Sequence, residues 1–371
     1  MTFPKPEYSR GQVNRAGEIL RAYAQSTEPV SIEQLDEWDW AYKVLANWRA
    51  CHNYPINTFQ ATLRSRLKSI DSNATVAQRL KRLPSIALKL KRFDGMQLAR
   101  MQDIGGLRAI LGSIKQVRRL EHVYRDRTFQ HELVSWKDYI AEPKDDGYRS
   151  IHLIYRYRNS KVQSYDGLLL ELQLRTKLQH AWATAVETMG TFLGQALKSG
   201  QGEGQWRSFF AVTGSALAHL EGSPPVPGHE SLSRSETFLR VAETEAQLNV
   251  LEKLRGFSVA AEKITTEKGH GIFHLVVLNS ADKSVSIRPY AMTRLEQANA
   301  DYADVEKQAQ AGEPVEAVLV SAGPVEALKR AYPNYFLDTN EFVAQIDRVI
   351  QEAKRPPLNR TLSRRKVVAP K

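Results

Sequence analysis

Residues 143–182 read PKDDGYRSIHLIYRYRNSKVQSYDGLLLELQLRTKLQHAW, and two clusters of reactive side chains lie in that run. Lys144, Gly147, Tyr148, Ser150 and His152 form the first. Gly147 permits a sharp turn into a strand, so that Tyr148 can lie flat against a purine while Lys144 and His152 reach phosphate or ribose oxygens. A hairpin loop carrying an ordinary aromatic is the competing reading. Glu171, Gln173 and Arg175 form the second cluster, on one face of the next strand. Glu171 suits metal ligation or removal of a proton from a ribose hydroxyl. The apolar run beside it argues for a strand covered on both faces, against a merely solvated Glu.

Two further clusters precede these. Arg79–Arg92 holds six basic residues and no acid, among them Arg79, Lys81 and Lys89, with Ser85 between them. Such a set attracts a triphosphate, and an Arg plane can stack on a base; a solvated basic face is the plain alternative. Asp103 lies just before Gly105-Gly106 and a short apolar strand, Leu107–Leu111, with Arg108 inside it. A carboxylate at a strand edge facing phosphates is a usual way to hold Mg²⁺, although an Asp beside glycines also serves turns.

The elements that must position these groups follow from pattern. The first seventy residues read as helical, with a Ser31–Gln34 capping box opening a stretch to Cys51. Asn53–Pro55 breaks it, and Thr58–Ile70 resumes. Thr75 is expected to cap a helix that Pro84 interrupts, with Ser85 capping its continuation to Phe93. Strict alternation marks Ser150–Arg158 and Leu168–Arg175 as strands, and Thr176 caps a helix over Lys177–Leu193. Glu221–Ser235, rich in Pro and Gly, reads as a linker. Beyond it come a helix (Glu236–Arg255), a hairpin near Phe273–Leu278 and Val285–Tyr290, a helix (Arg294–Gln310), a strand (Val315–Ser321) and a helix from about Val325. These amount to an α+β module with its own small core. The tail Lys354–Lys371, with seven basic residues and no acid, is expected to be disordered.

The 371 residues, 42% hydrophobic, suffice for two domains. No apolar run spans a membrane and no signal pattern opens the chain, so a cytoplasmic protein is expected. Cys51 is the only cysteine, which excludes intramolecular disulfides and a Cys-rich zinc ribbon. His270 and His274 have ligand spacing but no further ligands. The net charge of +11 points to a polyanionic partner.

The ordered blocks R-x-K, SI, KL, DIGGLR, PKDDGYRSIH, ELQLRT and HAW, over Arg79–Glu187, resemble the synthetase domain of the RelA/SpoT alarmone synthetases. The resemblance implies an α+β fold: a nucleotidyltransferase-like mixed sheet flanked by helices, plus a small C-terminal α+β regulatory domain. The implied boundaries are 1–74 (helical part of the synthetase), 75–220 (synthetase core), 221–235 (linker), 236–353 (regulatory domain) and 354–371 (tail). It also implies transfer of the β,γ-pyrophosphate of ATP to a ribose 3′-hydroxyl. Arg79 and Arg108 would sandwich the adenine, and Lys81, Ser85 and Lys89 would grip its phosphates. Asp103 and Glu171 would be catalytic and hold Mg²⁺. Tyr148 would stack on the acceptor base, with Lys144, Ser150, His152, Gln173, Arg175 and His180 on the acceptor side.

No His-Asp dipeptide occurs, so the chain resembles a synthetase-only short form. Tyr332 and Tyr335, rigidified by Pro333, resemble the autoinhibitory motif of fused toxin–antitoxin synthetases of the CapRel type. That resemblance implies a toxin acting on the CCA end of tRNA in anti-phage defence, released by a phage capsid protein. Arg64, Arg66, Lys68 and the basic tail favour tRNA. The alternative is a small alarmone synthetase making (p)ppGpp from ATP and GDP or GTP.

Overall fold

The computed structural model describes residues 3–25, 32–81, 83–126, 129–196, 203–266, 272–279, 281–282, 284–321, 325 and 335–355. Helices α1 (Arg10–Gln25), α2 (Ile32–Cys51) and α3 (Asn53–Leu67) lead into strand β1 (Thr75–Leu80) and helix α4 (Leu83–Arg92). Then follow β2 (Gly105–Leu111), α5 (Ile114–Arg125), β3 (Glu132–Asp138), β4 (Ile151–Arg156) and β5 (Leu169–Thr176). These strands make one mixed sheet in the order β1-β2-β5-β4-β3. Only β2 and β5 run parallel; the other pairs are antiparallel.

The expected helix from Thr75 is a strand. Every residue from Thr75 to Leu80 is paired with β2, from Thr75 opposite Ile110 to Leu80 opposite Gly105. The Lys81 N–H continues the pairing onto the Ile104 carbonyl at 2.8 Å. The helix begins only at Leu83, so Pro84 falls in its first turn, where a missing N–H costs nothing. The break after Cys51 occurs at His52, and α3 starts at Asn53, earlier than the expected Thr58.

Alternation in β4 and β5 is as expected: Ile151, Leu153, Tyr155, Leu170, Leu172 and Leu174 are buried. They join α1–α5 in a first core that includes Phe59, Leu63 and Leu120. Thr176 caps α6 (Lys177–Ala196) reciprocally. Its hydroxyl accepts from the Gln179 N–H, and the Gln179 side-chain oxygen accepts from the Thr176 N–H, both at 3.2 Å.

Helices α7 (Glu203–Glu221), α8 (Arg234–Leu248) and α9 (Val250–Thr266) come next, followed by β6 (Phe273–Asn279) and β7 (Ser284–Tyr290). Helix α10 (Leu295–Gln310), β8 (Val315–Ser321) and α11 (Tyr335–Ala353) complete the described chain. The single helix expected over Glu236–Arg255 is two, because Asn249 adopts the left-handed conformation (φ 51°) that ends α8. Strands β7-β6-β8 form an antiparallel sheet. The C-terminal module shares its core: Trp182, Phe192, Phe209 and Phe210 of α6 and α7 pack in one cluster with Phe238, Phe257, Val318 and Phe342. The Pro- and Gly-rich stretch is pinned rather than loose, since Val226 is buried and its N–H donates to Ser215 Oγ at 3.0 Å.

Tyr332, His270 and the tail from 356 on lie outside the described residues. Tyr335 opens α11, but its side chain lies outside them too. No helix among the described residues is long and apolar enough to cross a membrane.

Candidate active site

Strand register builds the site. Gly106 of β2 stands between Arg79 of β1 and Glu171 of β5, and Ile154 of β4 is opposite Glu171. One row along, Arg108 lies between Ala77 and Gln173, with His152 opposite Gln173. Directly opposed residues share a sheet face. Arg79, Arg108, Glu171, Gln173 and His152 therefore lie on one face, and a glycine leaves room at its centre.

Asp103 sits at the entrance to β2, between two ammonium groups. Lys81 Nζ donates to one carboxylate oxygen at 2.8 Å and Lys89 Nζ to the other at 2.9 Å. Burial pushes the Asp103 carboxyl up, but the two lysines outweigh it and hold it below the usual carboxylate range. Arg49, which sequence reasoning missed, anchors this corner: its Nε donates to the Lys81 carbonyl at 2.6 Å. Arg79 and Ser85 are exposed beside it.

Glu171 is likewise kept anionic. Burial raises its pKa; hydrogen bonds and charge from His152 lower it, nearby Asp103 raises it again, and the net direction is down. His152 Nδ1 lies 2.8 Å from one Glu171 oxygen, and Gln173 Nε2 donates to the other at 2.9 Å. His152 Nε2 is 2.7 Å from the Tyr148 hydroxyl, which also accepts from Arg175 Nη2 at 2.5 Å. A continuous polar chain thus runs Arg175–Tyr148–His152–Glu171–Gln173. Gln173 Oε1 extends it by accepting from Arg108 Nε at 3.3 Å and from Arg175 Nη2 at 3.1 Å.

Tyr148 is reached through a tight turn. Gly147 has φ +96°, the Gly147 N–H donates to the Lys144 carbonyl at 2.9 Å, and the Tyr148 N–H donates to Asp146 Oδ1 at 2.9 Å. The exposed Lys144 ammonium lies 5.0 Å from the Tyr148 ring centre and 4.7 Å from that of Tyr139. Tyr139, a second residue missed from sequence, meets Tyr148 and His152 edge-on.

Not every expected residue joins the cluster. Ser150 is fully buried and spends its hydroxyl on the Leu174 and Ile151 carbonyls, so it braces the strands and does not face the cleft. His180 is buried on α6. Arg66, half-buried, packs over the Tyr124 and Phe129 rings and donates to the Val123 carbonyl at 3.1 Å, so it serves the fold as well as the basic surface.

The segment holding this site has known counterparts. Residues 78–190 match the family described as the region found in RelA / SpoT proteins. The chain is 36% identical over 114 residues to the GTP pyrophosphokinase YjbM of Bacillus subtilis (strain 168), covering 29% of this chain and 52% of that protein. It is 33% identical over 115 residues to the GTP pyrophosphokinase YwaC of the same organism, with the same coverages of 29% and 52%. The chain thus spans about half the length of the curated relatives it matches. Among solved structures it is similar to small alarmone synthetase 1 from Bacillus subtilis bound to its product pppGpp. There the identity is 24% and the TM-score 0.41, over 48% of this chain and 94% of that one. The same enzyme bound to AMPCPP gives 21% and 0.38, over 48% and 93%.

Proposed function

We propose that this chain is an ATP pyrophosphokinase of the small alarmone synthetase kind, moving the β,γ-pyrophosphate of ATP to the 3′-hydroxyl of GDP or GTP. The observation that carries this reading is the shared sheet face on which Glu171, flanked by Arg79, Arg108 and His152, meets the Lys81–Asp103–Lys89 corner. The matched segment encloses it, and the relatives matched there are GTP pyrophosphokinases.

In this reading Arg79 and Arg108 hold the adenine, while Lys81, Lys89 and the exposed Ser85 receive the triphosphate. The acceptor oxygen attacks the β-phosphorus, the bond from that phosphorus to the α,β-bridging oxygen breaks, and AMP departs with the bridging oxygen. Glu171, held anionic beside His152, takes the hydroxyl proton. Arg175 serves the acceptor side by orienting Tyr148: its Nη2 donates to the Tyr148 hydroxyl at 2.5 Å and to Gln173 Oε1 at 3.1 Å.

Mg²⁺ fits this donor set. It binds through one or two carboxylates plus phosphate oxygens and water, and Asp103 stands just before β2, whose Gly106 lies opposite Glu171, with both carboxylates held anionic. The described residues include no group of three or more His, Cys, Asp or Glu that could cage an ion. The two carboxylates would hold Mg²⁺, which when bound supplies neutralisation of triphosphate charge.

Tyr148→Ala is expected to weaken acceptor use by about 1–3 kcal/mol, the contribution of one base–aromatic stack, with the KM for ATP little changed. Steady-state kinetics varying each substrate checks this, and an unaltered acceptor KM would make Tyr148 a bracing residue.

A second reading, transfer to the CCA end of tRNA, is supported by the +11 charge and by exposed Arg64, Lys68, Lys91 and Arg92. In that reading 236–353 forms a regulatory domain beyond a 221–235 connection, restraining the 75–220 synthetase through Tyr332 and Tyr335 until a phage capsid protein releases it. Because α11 shares a core with α6 and α7, truncation confounds release with unfolding; Tyr335→Ala is the cleaner variant. Incubating the full chain and Tyr335→Ala with γ-labelled ATP and GDP, GTP or tRNA separates the readings. Labelled guanosine nucleotide supports the first; label on tRNA alone replaces it with the second.

A further inference from the structure

The loop that presents Tyr148 is seated on α7, an element with no part in the proposed chemistry. Two glycines meet backbone to backbone there. A Cβ on Gly214 of α7 would lie 3.0 Å from Gly147 Cα and 3.1 Å from its carbonyl oxygen. A Cβ on Gly147 would lie 2.9 Å from the Phe210 carbonyl oxygen and 3.0 Å from the Trp182 ring.

Arg149, the residue after Tyr148, locks the contact. It is 3% exposed, and its guanidinium donates to the carbonyls of Gly214 at 2.6 Å, Pro224 at 2.9 Å and Gly147 at 3.4 Å. A buried Arg serving three carbonyls from three segments fixes their relative positions, because moving any one strands a polar group. On its other side α7 belongs to the second core, where the Phe210 ring lies 6.1 Å from that of Phe342 in α11.

We infer that Arg149 is a positioning residue for Tyr148, and that through it and the Gly147–Gly214 contact the α7–α11 packing sets the acceptor site while leaving the ATP site alone. The asymmetry follows from where the contacts fall. The ATP-side groups Lys81, Lys89 and Asp103 are held by Arg49, β2 and one another, beside the first core, whereas Tyr148 of the acceptor loop packs against the second. The acceptor half of this inference rests on the role proposed above for Tyr148, whereas the mechanical half does not.

Gly214→Ala tests it, since alanine favours a helix over glycine and any harm comes from the new methyl pushing on Gly147. Arg149→Lys keeps the charge but reaches fewer carbonyls. Gly190→Ala on α6, where an added Cβ meets nothing within 4 Å, is the control. Hydrogen exchange over 143–150 in the full-length protein is read beside calorimetric titration with GDP and with AMPCPP. The expected result for Gly214→Ala and Arg149→Lys is exchange about tenfold faster in that loop and GDP bound about tenfold more weakly, with AMPCPP within about twofold of wild type. Loop exchange equal to that of Gly190→Ala, or equal weakening of both nucleotides, would overturn the inference. Wild-type protein that binds neither nucleotide would remove the proposed function, and the exchange data alone would then decide whether α7 holds the loop.

Discussion

Asp103→Ala and Glu171→Ala are each expected to lower AMP release from ATP by about a hundredfold to a thousandfold, the scale seen when a preorganised electrostatic group is removed from a reacting centre. The two losses differ in kind. Without Asp103, the Lys81 and Lys89 ammonium groups, now bonded at 2.8 and 2.9 Å to its two oxygens, face each other with no counter-charge. They separate, and the triphosphate loses its seat. Without Glu171, the His152 and Gln173 side chains lose the anion they both serve, and the acceptor hydroxyl loses its base. Initial rates at saturating ATP and acceptor, with melting temperatures to exclude unfolding, check both. Activity within tenfold of wild type in either variant would end the catalytic assignment of that carboxylate.

Gly147→Ala carries the second large effect. The native φ of +96° lies where L-residues are strained, and the new Cβ would meet the Phe210 carbonyl oxygen at 2.9 Å, backbone that cannot swing aside. Strain and clash together are expected to cost about 2–4 kcal/mol, or to be relieved by moving the loop. In the second case Tyr148 leaves its place between Arg175 and His152. Urea unfolding together with the acceptor KM measures the two routes; a variant matching wild type in both would show that this turn is not constrained.

What the sequence disclosed was local. Alternation through Ile151–Tyr157 and Leu168–Arg175 is a pattern within each strand, and Thr176 announces its helix by standing at the last strand residue. What it hid was set by distant partners. Thr75–Leu80 contains Ala, Gln, Arg and Leu, all good helix formers, and is a strand only because β2, some thirty residues on, takes its backbone groups. Strand β3 carries Leu133, Val134 and Trp136 at an exposed edge, and a register shift between Leu133 and Ser135 breaks the alternation that would have marked it. Asn249 looked like any helical polar residue, though Asn is among the few that tolerate the left-handed region.

The site divides the same way. Residue types at Lys81, Asp103, Tyr148, His152 and Glu171 were readable as a set, but the bond from His152 to Glu171 depends on how β4 and β5 pair. Ser150 carried the right chemistry in the right stretch, yet burial commits it elsewhere, and packing makes Arg66 serve the fold as well as the basic surface. Arg149 was invisible because nothing in a sequence marks an arginine that will be buried against three carbonyls, and the shared second core was hidden by the Pro- and Gly-rich stretch that reads as a boundary.

The central claim is that this site moves two phosphates together. Incubation of the full chain with ATP labelled at the β-phosphorus, Mg²⁺ and GDP, followed by separation of nucleotides, tests it directly. The expected outcome is unlabelled AMP and β-label on the guanosine product in equal amounts, both abolished by Glu171→Ala. Label that stays in ADP, or AMP formation that persists without Glu171, would contradict it.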